Sequence, residues 1–411
     1  MYLKRLFSTV FCFSIIASFI FLIFLISTIS EAQENVIRLG AALSLTGKLA
    51  KEGKLTKDGY DFWKDYVNAQ GGIKVGNKRY KVEIKYYDDE SNPQVSAKLV
   101  EKLIVEDGIK LILGPYGTTN VFAASAVSEK YRVPMVEGGA AGEKIFERGF
   151  RYIFGVFTPS RQYLQGVLEL AKTLKPTPET VAIIAENELF SIGVAEGAKE
   201  FAEKNGFKVV HFEKYPPGAK DISSLLSIIK AKDPDILLGA GHFADTILAM
   251  RQCKDLKVNP RMYAFSVGPP VPDFVNSLKK DAEYVFGASQ WEPSLRYKGY
   301  LFGSAQDFSR KFKEKYGYEP DYHAAGGAAA ALTFQMAIEK AGSTDPEKVR
   351  DALANLNTTT FWGPIRFDKN GMIIKPMVTI QIQNGRRVVV YPPEAAEAKP
   401  LYPTPPWEKR R

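Results

Sequence analysis

Cysteine and histidine are scarce in this 411-residue chain. It holds two cysteines, Cys12 and Cys253, and three histidines, His211, His242 and His323. Because Cys12 falls within an N-terminal apolar segment, an intramolecular disulfide and a cysteine zinc site are excluded. No histidine has the H-E-x-x-H spacing, and no G-x-S-x-G occurs. The sequence therefore predicts a protein that is not an enzyme and that uses neither a metal nor a cofactor.

Long hydrophobic runs are also scarce, because only one occurs in the chain. Lys4 and Arg5 precede an uncharged stretch, Leu6–Ile29, and Ser30 and Ala32 supply small residues before a cleavage point. This pattern predicts a secretory signal peptide over residues 1–32. The apolar stretch is longer than the usual core of about 7–15 residues, so an uncleaved membrane anchor is the alternative. Either reading places the rest of the chain outside the cytoplasmic membrane, and a multi-span permease is excluded.

The chain also lacks blocks of charge. Its net charge is +9, from 55 basic and 46 acidic residues, but the two signs are interspersed and only residues 409–411 form a basic block. A scattered excess of this kind does not favour nucleic acid as a partner. Hydrophobic residues make up 45% of the chain, which is typical of a globular protein and excludes disorder as its main state.

Strand and helix patterns alternate along most of the chain. Val36–Leu43 is a predicted strand, an Asn92-Pro93 cap begins a helix with an apolar stripe, and Leu111–Leu113 is a short buried strand. The alternation restarts after Phe154 with a helix over about Arg161–Leu174 and further strand–helix pairs. Alternation of this type predicts an α/β protein with two doubly wound, mostly parallel sheets in succession.

The last hundred residues have a different pattern. We predict helices over Asp307–Tyr316 and Ala328–Ala341, and two strands joined by a tight turn at Asn384-Gly385. Six prolines between Pro392 and Pro406 predict an extended tail that covers surface rather than building core.

A glycine-rich turn followed by hydroxyl residues is the strongest candidate for a binding site. Gly114–Gly117 follows a predicted strand, and Thr118 and Thr119 open the next helix. Unpaired backbone N–H groups at a helix N-terminus favour an anionic ligand group such as a carboxylate. The alternative is that a threonine hydroxyl merely caps the helix. His242 also ends a predicted strand, where open α/β sheets bind ligands, whereas His211 lies within a strand and is expected to be structural.

Gly239–Ala244 has the glycine spacing of a dinucleotide-binding turn. The acid that such a site needs at the end of the next strand is absent, since Met262–Ser266 carries none. We interpret these glycines as allowing close packing beside the cleft.

An ordered set of short motifs resembles the Leu/Ile/Val-binding family of periplasmic substrate-binding proteins over residues 36–407. The set includes Ala42–Gly47, Tyr87–Pro93, Gly114-Pro115, Asp221–Leu225 and Tyr391–Pro393. The resemblance implies the type I periplasmic binding protein fold, in which two doubly wound α/β lobes, joined by three hinge crossovers, close on a ligand. It also implies delivery of that ligand to the permease of an ABC importer.

The resemblance implies lobe boundaries as well. Lobe 1 would comprise residues 36–153 plus 288–363, and lobe 2 residues 154–287 plus 364–393, with a proline-rich tail over residues 394–411. Hinges would lie near the three junctions.

Carried over position by position, the resemblance implies seven ligand-contacting residues. Hydroxyl and backbone groups would bind a carboxylate on one lobe, and aromatic side chains would flank the ligand on the other; the positions are Thr118, Thr119, Gly139, Ala141, Phe190, His242 and Val267. Val267 stands where the family has the acid that pairs with a ligand ammonium group. Either another acid substitutes, with Glu137, Glu186, Glu188 and Asp245 as candidates, or the ligand has no ammonium group.

The resulting expectation is a periplasmic, extracytoplasmic solute-binding protein that captures a small carboxylate-bearing ligand for an ABC importer. An amino acid, a branched-chain one among the candidates, an aromatic or aliphatic acid, and an amide all remain open. A ligand-sensing receptor of the same fold and a secreted hydrolase are the alternative functions. We expect a monomer that contacts the membrane only through the permease or an uncleaved anchor.

Overall fold

The computed structural model describes residues 35–410. The predicted signal peptide therefore lies outside the described residues. Between residues 35 and 410, no helix combines the length and the apolar character needed to cross a membrane.

Seventeen strands and eleven α-helices are present in the described part of the chain. The strands are β1 (Val36–Leu43), β2 (Ile73–Val75), β3 (Lys78–Asp88), β4 (Ile112–Leu113), β5 (Met135–Glu137), β6 (Ile153–Gly155), β7 (Thr180–Glu186), β8 (Lys208–Tyr215), β9 (Ile236–Ala240), β10 (Met262–Phe265), β11 (Phe286–Ser289), β12 (Lys298–Gly299), β13 (Gly303–Ser304), β14 (Asn357–Thr360), β15 (Gly363–Arg366), β16 (Val378–Gln383) and β17 (Arg386–Tyr391). The helices are α1 (Ala50–Ala69), α2 (Pro93–Val105), α3 (Thr118–Tyr131), α4 (Gln165–Ala171), α5 (Leu189–Lys204), α6 (Ser223–Lys232), α7 (Phe243–Leu256), α8 (Asp273–Leu278), α9 (Ala305–Tyr316), α10 (Tyr322–Ala341) and α11 (Pro346–Ala354).

The first half of the chain forms a six-stranded sheet in the order β2-β3-β1-β4-β5-β6. All neighbours in it are parallel except the β2–β3 pair. In β1, only the start alternates, with Arg38 exposed between buried neighbours, and residues 39–43 are all buried. Helices cover both faces of such a sheet, so its central strands read as continuous apolar runs.

The second sheet has seven strands in the order β17-β16-β11-β10-β9-β7-β8. The strands from β8 to β11 are parallel, and β16 and β17 add an antiparallel edge. The turn between them is the predicted one, because Asn384 and Gly385 both adopt positive φ, 52° and 69°. The predicted α/β class with two doubly wound sheets is thereby confirmed.

The chain crosses between the two sheets three times, and polar contacts join the crossing segments. Thr158 donates its backbone N–H to Gln290 Oε1 at 3.1 Å, and Gln290 Nε2 donates to the Thr158 carbonyl at 3.2 Å. The Thr158 hydroxyl donates to the Lys375 carbonyl at 2.8 Å. All three residues are buried, so the crossings form one hydrogen-bonded bundle.

Two predicted helices differ from the observed ones. The segment predicted over Arg161–Leu174 contains a short 3₁₀ turn followed by α4, which ends at Ala171. The helix predicted from Ala328 begins at Tyr322, where Asp321 caps it by accepting from His323 N and Ala324 N at 3.1 Å. In the first turns of α10 all residues are buried, and those after Tyr322 and His323 are alanine or glycine, so the segment carries no amphipathic signal.

Close packing places α10 directly against α1. A Cβ atom on Gly59 would lie 2.0 Å from the Ala324 carbonyl oxygen, and one on Gly327 would lie 2.4 Å from that of Thr56. Only glycine allows the helices to approach this closely. The N-terminus of α10 is thereby fixed beside the first sheet.

The proline-rich tail does more than cover surface, which corrects the prediction. Gln381 and Gln383 of β16 donate to the carbonyls of Leu401 and Lys399 at 2.8 and 2.9 Å. Trp407 is buried in the core of the second sheet, and its indole N–H donates to the Val258 carbonyl at 2.9 Å. The isolated tryptophan behind the prolines gave no periodic pattern, so its burial was not predicted.

Candidate ligand-binding site

A narrow cavity, in which only about 10 Å³ is wide enough for a water molecule, lies where the carboxyl ends of the parallel strands of both sheets meet. Most of the lining residues lie in the segments that follow strands, and the others come from the N-terminus of α10. The lining residues are Tyr116, Thr118, Gly139, Ala140, Ala141, Phe157, Tyr163, Phe190, His242, Val267, Tyr322 and His323. Six of the seven predicted ligand-contacting residues are among them.

The turn after β4 supplies the hydroxyl side of the cavity. Gly117 adopts φ 94° at the start of α3, and no side chain caps this helix. The Thr118 hydroxyl accepts from Gly142 N at 3.2 Å and from Ala141 N at 3.4 Å, so it links two turns instead of capping its own helix. Since a hydroxyl can also donate, Thr118 remains able to bind a carboxylate oxygen.

Thr119 lies outside the cavity. It lines the adjoining groove, where its hydroxyl donates to Glu188 Oε2 at 3.4 Å. The two threonines therefore differ: Thr118 lines both the cavity and the groove, whereas Thr119 lines only the groove and joins α3 to the start of α5.

The turn after β5 is held by a buried carboxyl group. Glu137 Oε2 accepts from Gly139 N at 2.9 Å and from Ala140 N at 2.6 Å, and the Gly139 carbonyl accepts from Gly117 N. Burial raises the pKa of Glu137 to about 8, although both backbone donors oppose the rise. The amide of Gly139 is therefore already paired, and of the two predicted backbone positions only Ala141 presents a weakly bonded N–H.

The second sheet supplies an apolar wall. The Phe190 ring lies 5.0 Å from Tyr163 and 5.4 Å from His242, measured between ring centroids. Val267, which follows β10, is 2% exposed and faces the same space. His242 precedes α7 and contributes the one imidazole of this wall.

Comparison with known proteins agrees with this arrangement. Residues 36–387 match the family described as "Periplasmic binding protein". The chain belongs to this periplasmic binding protein family. Among curated relatives, "Leu/Ile/Val-binding protein homolog 8" of Brucella abortus is 27% identical over 391 aligned residues, which cover 91% of this chain and 94% of the relative.

Solved structures share the periplasmic binding protein fold. The branched-chain amino acid substrate-binding protein LivJ of Streptococcus pneumoniae, in complex with isoleucine, superposes with a TM-score of 0.76 at 20% identity, covering 90% of this chain and all of that one. A solute-binding protein of R. palustris in complex with 4-hydroxybenzoate gives 0.73 at 24% identity, covering 86% and 95%. The predicted type I periplasmic binding protein fold is confirmed.

No carboxylate lines the cavity among the described residues of this periplasmic binding protein. Each of the four acids considered as a replacement at Val267 is engaged elsewhere. Glu186 pairs with Lys48, Glu188 caps α5, and Asp245 accepts from His242 N at 3.0 Å. Glu137 holds its own turn, as described above.

Sequence reasoning missed half of the cavity wall. Tyr116 lies in the Gly114–Gly117 turn, but no pattern in the surrounding sequence indicated that it lines the cavity. Phe157 and Tyr163 follow the first crossing, and Tyr322 and His323 come from a helix whose start was placed six residues too late. Aromatic residues after strand ends would have been a usable signal for the first three.

Direct contacts join the two sides of the cleft beyond the cavity. Glu52 of α1 is 1% exposed, and its Oε1 accepts from Phe243 N at 2.9 Å. The Lys48 ammonium group pairs with Glu186, whose side chain is fully buried. The structure is therefore a closed form of the cleft.

One cluster has the composition of a cation site. Donor atoms of Glu186, Glu188 and His242 lie within 4.8 Å of one another. The Lys48 ammonium group, however, pairs with Glu186 and lies 3.7 Å from Asp245 Oδ2. This tethered cation supplies the positive charge, so we assign the cluster to an ion pair across the cleft.

Proposed function

We propose that this protein captures a small carboxylic acid without an ammonium group and presents it to an ABC importer. The observation that carries the proposal is Val267, a buried aliphatic residue in a cavity that no described carboxylate lines. A desolvated ammonium group without a counter-charge costs several kcal/mol. An amino acid would therefore bind poorly.

Aromatic and aliphatic acids fit the rest of the wall. The rings of Tyr116, Phe157, Tyr163, Phe190 and Tyr322 surround the space. Such rings bury large apolar areas and pack edge-to-face with a ligand ring. The uncapped start of α3 and the Thr118 hydroxyl provide donors for a carboxylate on the opposite side. The R. palustris relative, whose structure holds 4-hydroxybenzoate, is a precedent for this ligand class in the fold.

Capture would proceed by closure of two lobes. We assign residues 36–153 plus 288–363 to lobe 1 and residues 154–287 plus 364–393 to lobe 2, with the bundle around Gln290 as the hinge. The contacts of Lys48 and Glu52 across the cleft support this division, because they join opposite sides. A ligand shifts such an equilibrium only by the contacts that it makes in the closed form alone.

The proposed setting is the periplasm, with residues 1–32 removed as a signal peptide and an ABC permease as the partner. Mass spectrometry of the secreted protein should find an N-terminus at Gln33. A full-length chain in the membrane fraction would instead support an uncleaved anchor.

A thermal-shift screen tests the ligand class. We expect benzoate and 4-hydroxybenzoate to raise the melting temperature of the wild-type protein, and leucine and isoleucine to leave it unchanged. Thr118→Val serves as the matched control, because it removes the hydroxyl and keeps the shape. Sub-micromolar binding of leucine in calorimetry would overturn the proposal.

A further inference from the structure

A continuous series of buried polar side chains crosses the closed cleft beside the cavity. Asp321 Oδ2 lies 2.6 Å from His323 Nδ1, and His323 Nε2 lies 3.3 Å from the Tyr116 hydroxyl. The same hydroxyl lies 3.3 Å from His242 Nδ1. None of the four residues is more than 4% exposed. Three of them pack beside the first sheet, and His242 follows β9 of the second.

The chemistry of these groups determines which one donates in each hydrogen bond of the series. The pKa of Asp321 is lowered: burial opposes ionisation, but its interactions with His323 and the hydrogen bond from Ala324 outweigh it. As a carboxylate it can only accept, so Nδ1 of His323 carries the hydrogen. With the hydrogen on Nδ1, Nε2 can accept, and the Tyr116 O–H donates to it. The Tyr116 oxygen is left to accept from His242 Nδ1–H.

Charged groups from every neighbouring element face His242. Glu188, which caps α5, lies 3.6 Å from its Nε2, and Glu52 of α1 lies 3.9 Å from its Nδ1. Asp245 of α7 accepts its backbone N–H, and Lys48 opposes a positive charge from the far side. Burial lowers the pKa of His242, but Glu188 and Glu52 outweigh it and raise the pKa to about 9.

We propose that Asp321 and His323 are positioning residues that fix Tyr116 as the acceptor for a protonated His242, and that this imidazolium makes the cavity selective for anionic over neutral ligands. The inference rests on the proposed function for the ligand class, but the hydrogen-bonded series is independent of it. Among the described residues that line the cavity, His242 is the one that would carry a positive charge, and its partners Glu188 and Glu52 lie outside the lining.

Imidazole NMR tests the series without any ligand. Lys51→Cys and Asp273→Cys, joined by a short bis-maleimide, would hold the cleft closed, since these two residues form an ion pair across it. Cys253 is buried and would not react. With only three histidines in the chain, His242 can be assigned from a His242→Gln spectrum.

We expect His242 in this cross-linked protein to titrate well above the ordinary histidine range, near pH 9. Tyr116→Phe and Asp321→Asn should lower the midpoint by at least half a pH unit. Tyr163→Phe is the matched control, because it removes a hydroxyl from the same cavity without touching a histidine, and it should leave the midpoint unchanged. A wild-type midpoint below pH 7, or no change in Tyr116→Phe, overturns the proposal.

Calorimetry with benzoate and benzamide tests the selectivity. At pH 7 we expect benzoate to bind at least tenfold more tightly than benzamide, and this ratio to fall at least tenfold in His242→Gln and at least threefold in Tyr116→Phe. Measured in a Glu137→Gln background, which removes a second titrating group, the ratio should stay constant while His242 remains protonated and fall as the pH rises through about 9.

The two proposals fail in different ways. If neither compound binds while the NMR midpoint is raised and sensitive to Tyr116→Phe, the proposed ligand class is wrong and the positioning role is supported. If benzoate binds and His242→Gln leaves the ratio to benzamide unchanged, the role of His242 in selectivity is wrong and the ligand class is supported.

Discussion

The two walls of the cavity differ in how they are built. On the side of the first sheet, Thr118, Ala141 and the start of α3 present backbone and hydroxyl donors, held by the buried Glu137. On the side of the second sheet, Phe190 and Val267 present apolar surface. The first wall suits a carboxylate of any kind. Under the proposed function, the second wall, together with His242, decides what that carboxylate is attached to.

This difference between the walls implies that a substitution at one position of the second wall can change the class of ligand that binds. The first wall depends on several turns that support one another, so a single change there damages binding in general. A change at Val267 should instead redirect binding from one class of ligand to another.

The largest expected effect is that of Val267→Asp. A buried aspartate at this position has no counter-charge and repels a ligand carboxylate across the narrow cavity, which together cost several kcal/mol. We therefore expect benzoate affinity to fall at least about a hundredfold and leucine binding to become measurable by calorimetry. Val267→Asn keeps the shape without the charge and should lose much less benzoate affinity. Equal losses in the two variants would show that shape, not charge, governs this wall.

Thr118→Val tests the first wall. A hydrogen bond to a charged group contributes about 1.5–3 kcal/mol, so benzoate affinity should fall about tenfold or more. Thr119→Val is the matched control, since Thr119 lies outside the cavity and its contact with Glu188 is long at 3.4 Å. We expect it to change the affinity less than threefold. A larger loss of benzoate affinity in Thr119→Val than in Thr118→Val would place the ligand in the adjoining groove.

Ionisation of Glu137, which holds a turn of the first wall, should make the stability of the protein depend on pH. Its pKa is raised to about 8 from an ordinary value of 4.5, so the folded protein disfavours its ionisation. The wild-type protein should therefore lose stability between about pH 4.5 and 8 relative to Glu137→Gln, which stays neutral. Chemical denaturation at pH 5 and pH 8.5 should show the difference between the two proteins growing by at least about 2 kcal/mol. A constant difference would mean that Glu137 is ionised throughout.

The smallest effects concern contacts across the cleft outside the cavity. Lys51 pairs with Asp273 at a partly exposed position, and such pairs contribute about 0–1 kcal/mol. Lys51→Ala should change benzoate affinity less than threefold. Lys48→Ala should weaken it more, because it leaves Glu186 buried without its counter-charge. Equal losses of affinity in Lys48→Ala and Lys51→Ala would show that the buried pair contributes no more to closure than the partly exposed one.

Much of the first wall could be predicted from the sequence. Turn chemistry after a short buried strand is local, so Gly114–Gly117 and Thr118 indicated their own position. Gly139, Ala141, Phe190 and Val267 were indicated by the family resemblance, and His242 also by its position at a strand end. The structure brings all five to the same cavity, because strand ends in a parallel sheet meet at one edge.

The rest depends on contacts between distant segments. His323 and Tyr322 reach the cavity only because α10 packs against α1, and the small residues of that interface give no periodic signal. Glu137 follows the same strand rule as its neighbours, but its side chain turns back to pair with Gly139 and Ala140. A sequence pattern shows where a backbone amide lies and not which side chain has already bound it.

A crystal structure of the protein with benzoate tests the central claim most directly. We expect the carboxylate within hydrogen-bonding distance of the Thr118 hydroxyl and the first turn of α3, with the ring between Phe190 and Tyr116. A benzoate bound in the opposite orientation, with its carboxylate against Val267, or seated outside this cavity, would contradict the account.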